Sequence, residues 1–176
     1  MVESQLFADG EHTNALICFT DINGFRRIAS SVSKSDLVSL MKEIASITAR
    51  AAKEASGCVV KYIGDSSLLA FPESSVNVAI RSLVASKASI EKLITDRTGI
   101  ETVVSYALHF GEVSFAVFEP FETVDVLGET VNIAASLDRG RNRGRFVITP
   151  QVFRKLAPDA RKLFHKFTPP IVYVSE

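Results

Sequence analysis

An α+β sandwich, with helices packed on one face of a mostly antiparallel sheet, is the fold this sequence predicts. Three observations carry it. Short apolar runs bounded by polar residues recur, "ALICF" at 15–19 and "RFVIT" at 145–149 among them, and read as buried strands. Between such runs lie two long stretches whose apolar residues fall at steps of three or four, the spacing of one helix face. Strand-like runs also come in pairs joined by glycine-bearing turns, which is hairpin grammar and not the regular alternation of a doubly wound sheet.

The elements follow in order. Residues 1–14, "MVESQLFADGEHTN", read as a linker or tail ahead of one domain over 15–176, a length that suits a single substantial core. The strand "ALICF" runs out to Asp21 and Asn23-Gly24-Phe25, which lead into a helix. A second helix starts at Ser33, where Ser33 with Asp36 resembles a capping pair, and Gly57 is its expected stop. Its apolar face takes Leu37, Met41, Ile44 and Thr48.

"CVVKYIGDSSLLAF" (58–71) predicts a hairpin turning at Gly64-Asp65-Ser66. Ser74 or Ser75 would cap a long helix with Ala79, Ile80, Leu83, Val84, Ile90 and Ile94 on its apolar face. Residues 102–118 read as a second strand pair, turning at Gly111-Glu112. A strand at Val124–Leu127, a helix from about Gly128 to Leu137 and the strand 145–149 come next. Pro150 starts a short helix, and "PIVYV" (170–174) closes the chain as a strand. The order contains a ferredoxin-like βαββαβ unit.

Composition narrows the function classes. Twenty basic residues balance twenty acidic ones, which argues against nucleic acid or a membrane surface as a general partner. No apolar run approaches the roughly 20 residues that cross a bilayer. The first residues lack the basic-then-apolar layout of a signal peptide, so the cytoplasm is the expected location. Cys18 and Cys58 lie far apart in apolar runs and read as reduced core thiols.

Asp21 and Asp65 share a local pattern: an apolar strand, then a carboxylate, with a glycine within three residues. Two carboxylates brought together repel unless a cation lies between them, and oxygen ligands suit Mg²⁺ or Mn²⁺. Backbone N–H groups of Asn23-Gly24-Phe25 could then meet phosphate oxygens at the start of the helix. An aspartate at a strand end, taken alone, is more often a turn former or helix cap.

"FTDINGF", "KYIGDSSLLAF", "HFGEV" and "VDVLGETVNIAAS" stand in the order and approximate spacing of class III nucleotidyl cyclase catalytic domains, and the chain resembles that family from about Ala15 to Ser136 and more loosely beyond. The resemblance implies an adenylyl cyclase that makes cyclic AMP and pyrophosphate from ATP, with two Mg²⁺ or Mn²⁺ ions per site. Position by position, it makes Asp21 and Asp65 the metal aspartates and Ile22 a metal ligand through its carbonyl. It makes Lys61 and Asp125 the residues that read the purine, and Asn132 the residue that positions the ribose. Lys166 matches a late lysine that holds phosphate. Without the resemblance, Lys61 reads as a solvated strand lysine, Asn132 as a polar helix residue and Lys166 as a surface lysine.

The family usually carries an arginine four residues after the asparagine; here the residue is Ser136. Serine lacks the fixed cationic fork that steadies charge on phosphate. Arg139, Arg141, Arg143 and Arg145 follow, and one of them could substitute. Family sites form between two domains, which implies a head-to-tail homodimer, with sensor domains or partner chains outside this chain. Two alternatives stand beside the adenylyl cyclase: a weak or inactive nucleotide-binding, dimerising module, and a cyclase acting on GTP or a pyrimidine nucleotide.

Overall fold

A computed structural model describes residues 8–120, 123–137, 145–168 and 170–175. The strand β1 (His12–Ile22) is followed by helices α1 (Phe25–Ser31) and α2 (Lys34–Glu54), then by the hairpin β2 (Cys58–Ile63) and β3 (Ser66–Pro72). A 3₁₀ turn at Glu73–Ser75 leads into α3 (Val76–Thr98) and β4 (Val104–Phe118). The rest comprises β5 (Thr123–Leu127), α4 (Glu129–Leu137), β6 (Phe146–Ile148), α5 (Pro150–Lys155), α6 (Pro158–Arg161), β7 (His165–Phe167) and β8 (Val172–Ser175).

The strands form an eight-stranded sheet in the order β2-β3-β1-β4-β6-β8-β7, with β5 paired to β4. Among the described residues only the β4–β6 pairing is parallel. The mostly antiparallel α+β sandwich is as expected, and its first four strands with α2 and α3 make the βαββαβ unit. The two long helices cover one face. There Leu40 and Ile44 of α2 and Ile80, Leu83, Ile90 and Ile94 of α3 pack on Leu16, Cys18, Leu69, Phe71, Tyr106 and Leu108. The opposite face, with Ala15, Ile17, Leu68, Ala70 and Phe115, is not left bare, because Val126 of β5 and Ala134 of α4 close over it.

Local chemistry explains the element ends. The Ser33 hydroxyl accepts the Asp36 N–H at 3.1 Å and caps α2 as predicted. The buried line of α2 passes through Leu40, Ile44, Thr48 and Ala51, a slight rotation that leaves Leu37 and Met41 half-buried. At its C-terminus the left-handed residue is Ser56 (φ 51) and not Gly57. Gly57 is required for space, because a Cβ there would lie 2.2 Å from a Phe71 ring carbon. Ser75 precedes α3 as expected, but its hydroxyl donates to Pro72 O and caps no helix N–H.

The strand pair expected over 102–118 is a single strand. Gly111 pairs with Ala15 in the middle of an unbroken β1–β4 ladder, so there is no turn at Gly111-Glu112. The glycine makes room for α4: a Cβ on Gly111 would sit 2.6 Å from Thr130 Oγ1, which donates to Glu112 O at 2.7 Å. The last residues of the segment expected as a linker join the sheet, since β1 begins at His12 and Gly10 N–H donates to Phe115 O at 2.9 Å. Both cysteines are free, and burial pushes both thiols up, as suits inert core residues. Among the described residues no helix is long and apolar enough to cross a membrane.

Candidate active site

Side chains alternate along β1, so Leu16, Cys18 and Ile22 enter the core under the long helices while Ile17, Phe19 and Asp21 face the β5–α4 side. Asp21 is the last residue on that side before the strand ends, where the core gives out and a carboxylate can be half-solvated. Thr20 pairs with Ser67 of β3. One step further along this register, Asp21 falls opposite Ser66, and two steps further Ile22 falls opposite Asp65. The side chains agree: Ser66 Oγ donates to Asp21 Oδ1 at 2.7 Å and ties the mouth of β1 to the Gly64–Asp65 turn. Gly64 supplies the left-handed residue of that turn, with φ 64.

The Ile22 side chain is buried, so only its backbone can serve a ligand. Asn23 N–H donates to Val103 O at 3.1 Å. Antiparallel pairs alternate between bonded and unbonded, which makes the adjacent Ile22–Val104 pair the unbonded kind. The Ile22 carbonyl is therefore turned away from β4, towards the hairpin that carries Asp65. Asp21, Asp65 and this carbonyl offer oxygen donors alone, a set that fits a hard divalent cation.

Asn23 takes a different place from the expected one. Its N–H was expected to help cradle phosphate, yet it is engaged by Val103 O because the chain still follows the β4 ladder at this residue. Gly24 and Phe25, at the start of α1, are the remaining residues of that stretch.

A register shift between Val59 and Lys61 in β2 puts Lys61 opposite Leu68, on the same sheet face as Asp21. Lys61 Nζ donates to Asp125 Oδ2 of β5 at 2.5 Å, with the two side chains 38% and 23% exposed. The other carboxylate oxygen, Oδ1, accepts the Val126 N–H at 2.8 Å, so the Asp125 plane is fixed by its own strand.

Asn132 and Ser136 lie one turn apart on α4, and both are exposed. Ser136 Oγ donates to Ile133 O at 2.7 Å, one turn back on its own helix. Lys166 is exposed on β7, at the opposite end of the sheet from β2, so one chain does not bring it to Asp65. The Arg145 guanidinium stacks 4.7 Å above the Phe167 ring. Arg139, Arg141 and Arg143 lie outside the described residues. His109, from the "HFGEV" stretch, is buried with Nδ1 2.9 Å from Thr149 Oγ1, and burial holds its pKa below the ordinary value.

The structure adds residues that sequence reasoning did not single out. Ser66 could have been found by carrying the β1–β3 register forward from Asp21. Ser105 and Thr102 lie 82 and 79 residues from Asn23, which they contact, and Glu91 reaches the segment only through Val104 of β4, so none carries a local signal there.

A family model described as the adenylate and guanylate cyclase catalytic domain matches residues 7–170. The chain is similar to an adenylate cyclase of Anabaena cylindrica, 23% identical over 131 residues, which cover 69% of this chain and 26% of that protein. The chain thus spans about a quarter of that curated relative. The structure of a bacterial light-regulated adenylyl cyclase matches with a TM-score of 0.74 at 22% identity, over 96% of this chain and 52% of that one. An adenylyl cyclase from P. aeruginosa matches with a TM-score of 0.78 at 15% identity, over 96% and 97% of the two chains. At these identities the structural likeness is one of fold.

Proposed function

Because this chain belongs to the adenylate and guanylate cyclase catalytic domain family, we propose that it converts ATP to 3′,5′-cyclic AMP and pyrophosphate, at sites shared by two copies arranged head to tail. The observation that carries the choice of ATP is the 2.5 Å contact between Lys61 Nζ and Asp125 Oδ2. Adenine presents an acceptor at N1 and a donor at its amino group, and a lysine donor beside an aspartate acceptor complements that edge. Guanine reverses both groups and would leave buried polar atoms unpaired, which a hydrogen-bonding pocket penalises strongly.

Asp21, Asp65 and the Ile22 carbonyl would hold Mg²⁺ or Mn²⁺, two ions per site. Bound there, the ions would supply positive charge that favours the 3′-oxyanion and offsets the triphosphate. Gly24 and Phe25 would present backbone N–H groups to phosphate oxygens, and Lys166 of the second copy would add a cation to the same chain of phosphates. The second copy would bring Lys61 and Asp125 to the base and Asn132 to the ribose, so that the 3′-oxygen, having lost its proton to water, is in line with the α-phosphorus. The new bond closes the ring as the bond to pyrophosphate breaks. A cytoplasmic location belongs to the same reading, as do sensor domains or partner chains outside this chain.

A second reading has one observation in its favour. Ser136 bonds back to its own helix and offers no cationic fork, which suits a weak or inactive nucleotide-binding module. One experiment separates the readings: the purified chain with Mn²⁺ and each of the four nucleoside triphosphates, cyclic product measured directly, beside Asp65→Ala. Cyclic AMP as the main product, lost in Asp65→Ala, is expected. Cyclic GMP or a cyclic pyrimidine nucleotide as the main product would overturn the base assignment. No cyclic product at all, with an ATP analogue still bound, would leave the binding module.

A further inference from the structure

Asn23 sits in a bracket built by the first residues of β4 and the loop before it. Its side-chain amide donates to Val103 O and to Ser105 Oγ, both at 3.1 Å. Its carbonyl accepts the Thr102 hydroxyl at 2.6 Å. Ser105 is fully buried and stands directly across from Asp21 in the β1–β4 ladder. The bracket is backed from the helix layer: Glu91 Oε1 of α3 accepts the Val104 N–H at 2.8 Å, and Lys87 holds that carboxylate at 2.5 Å.

This arrangement acts on the two groups beside it. Engagement of Asn23 by Val103 is what turns the Ile22 carbonyl away from β4, and the bond to Ser105 fixes the strand position opposite Asp21. An asparagine suits the place because one short side chain supplies two N–H donors, one for a carbonyl and one for a hydroxyl. Alanine reaches neither partner, and aspartate brings no donor.

We propose that Asn23 is a positioning residue that fixes the Asp21 carboxylate and the Ile22 carbonyl for a divalent cation, and that it does not bind phosphate; this rests on reading Asp21 and Asp65 as a metal pair. Groups that orient metal ligands typically change metal affinity by about 10–100-fold when removed. A phosphate role would instead appear in nucleotide affinity with the metal site saturated.

The test titrates Mn²⁺ into the purified chain and reads free ion by electron paramagnetic resonance. Asn23→Ala, Ser105→Ala and Asp21→Asn are compared with the unaltered protein, and binding of a non-cyclisable ATP analogue is measured at saturating Mn²⁺. Asn23→Ala and Ser105→Ala should each weaken Mn²⁺ binding about tenfold or more, with analogue affinity unchanged, while Asp21→Asn loses the site. Unaltered Mn²⁺ affinity in both serine and asparagine variants, with Asp21→Asn silent, overturns the positioning role and leaves the metal pair standing. Weaker analogue binding with unaltered Mn²⁺ affinity assigns Asn23 to phosphate and also overturns it. An Asp21→Asn chain that binds Mn²⁺ as well as the unaltered protein removes the metal pair itself. Should Asn23→Ala fail to fold, Ser105→Ala decides alone.

Discussion

At the mouth of β1 the chain holds its own functional groups, whereas on α4 it displays them. Asp21 is bonded by Ser66, and its strand is bracketed by residues 102–105. Asn132 and Ser136 lie exposed on one helix face. The first kind of construction prepares a half-site whose ligands need little rearrangement. The second leaves side chains on the surface, open to a partner. A site completed by a second copy reconciles the two, because each chain would then bring a prepared carboxylate end and a displayed helix face.

Substitution on the displayed face should give the larger effect. Ser136→Arg would place a guanidinium one turn beyond Asn132, where the family usually has one. If transition-state charge is otherwise unsteadied there, turnover should rise by about 10²-fold, judging from comparable donors. The readout is kcat at saturating Mn²⁺ and ATP. No rise would mean that the phosphate charge is met from elsewhere, or that the chain does not turn over.

A smaller effect should follow from disturbing what carries that face. Gly111→Ala drives a methyl against Thr130, the residue that ties α4 to Glu112 of β4. Overpacking of this kind costs about 1–3 kcal/mol, read as a lower midpoint in urea unfolding. Binding of Mn²⁺ at the β1 end should be unaffected, since α4 contributes none of its proposed ligands.

The same contrast marks what was legible in the sequence. Features set by neighbours along the chain were readable: the Ser33 cap, the Gly64–Asp65 hairpin and the apolar face of α3 all stand where the pattern put them. Gly111 misled because a glycine that admits a neighbouring helix looks, in one dimension, like a glycine that turns the chain. The helix α6 and strand β7 span four and three residues, too short to establish a period. At the site, Asp21 and Asp65 stood out by their shared context, while Lys61 and Asp125 were joined only through resemblance. The partners of Asn23 were not legible, because Val103 and Ser105 lie about 80 residues away and no local spacing encodes them.

The central claim is that each site draws Asp21 and Asp65 from one chain and Asn132 from another. Mixing inactive Asp21→Ala chains with inactive Asn132→Ala chains tests it most directly. In a head-to-tail dimer a mixed pair holds one site with both substitutions and one with neither, so cyclic AMP formation should return to about a quarter of the unaltered level after exchange. A mixture as inactive as its two components, with subunit exchange demonstrated, would contradict the shared site.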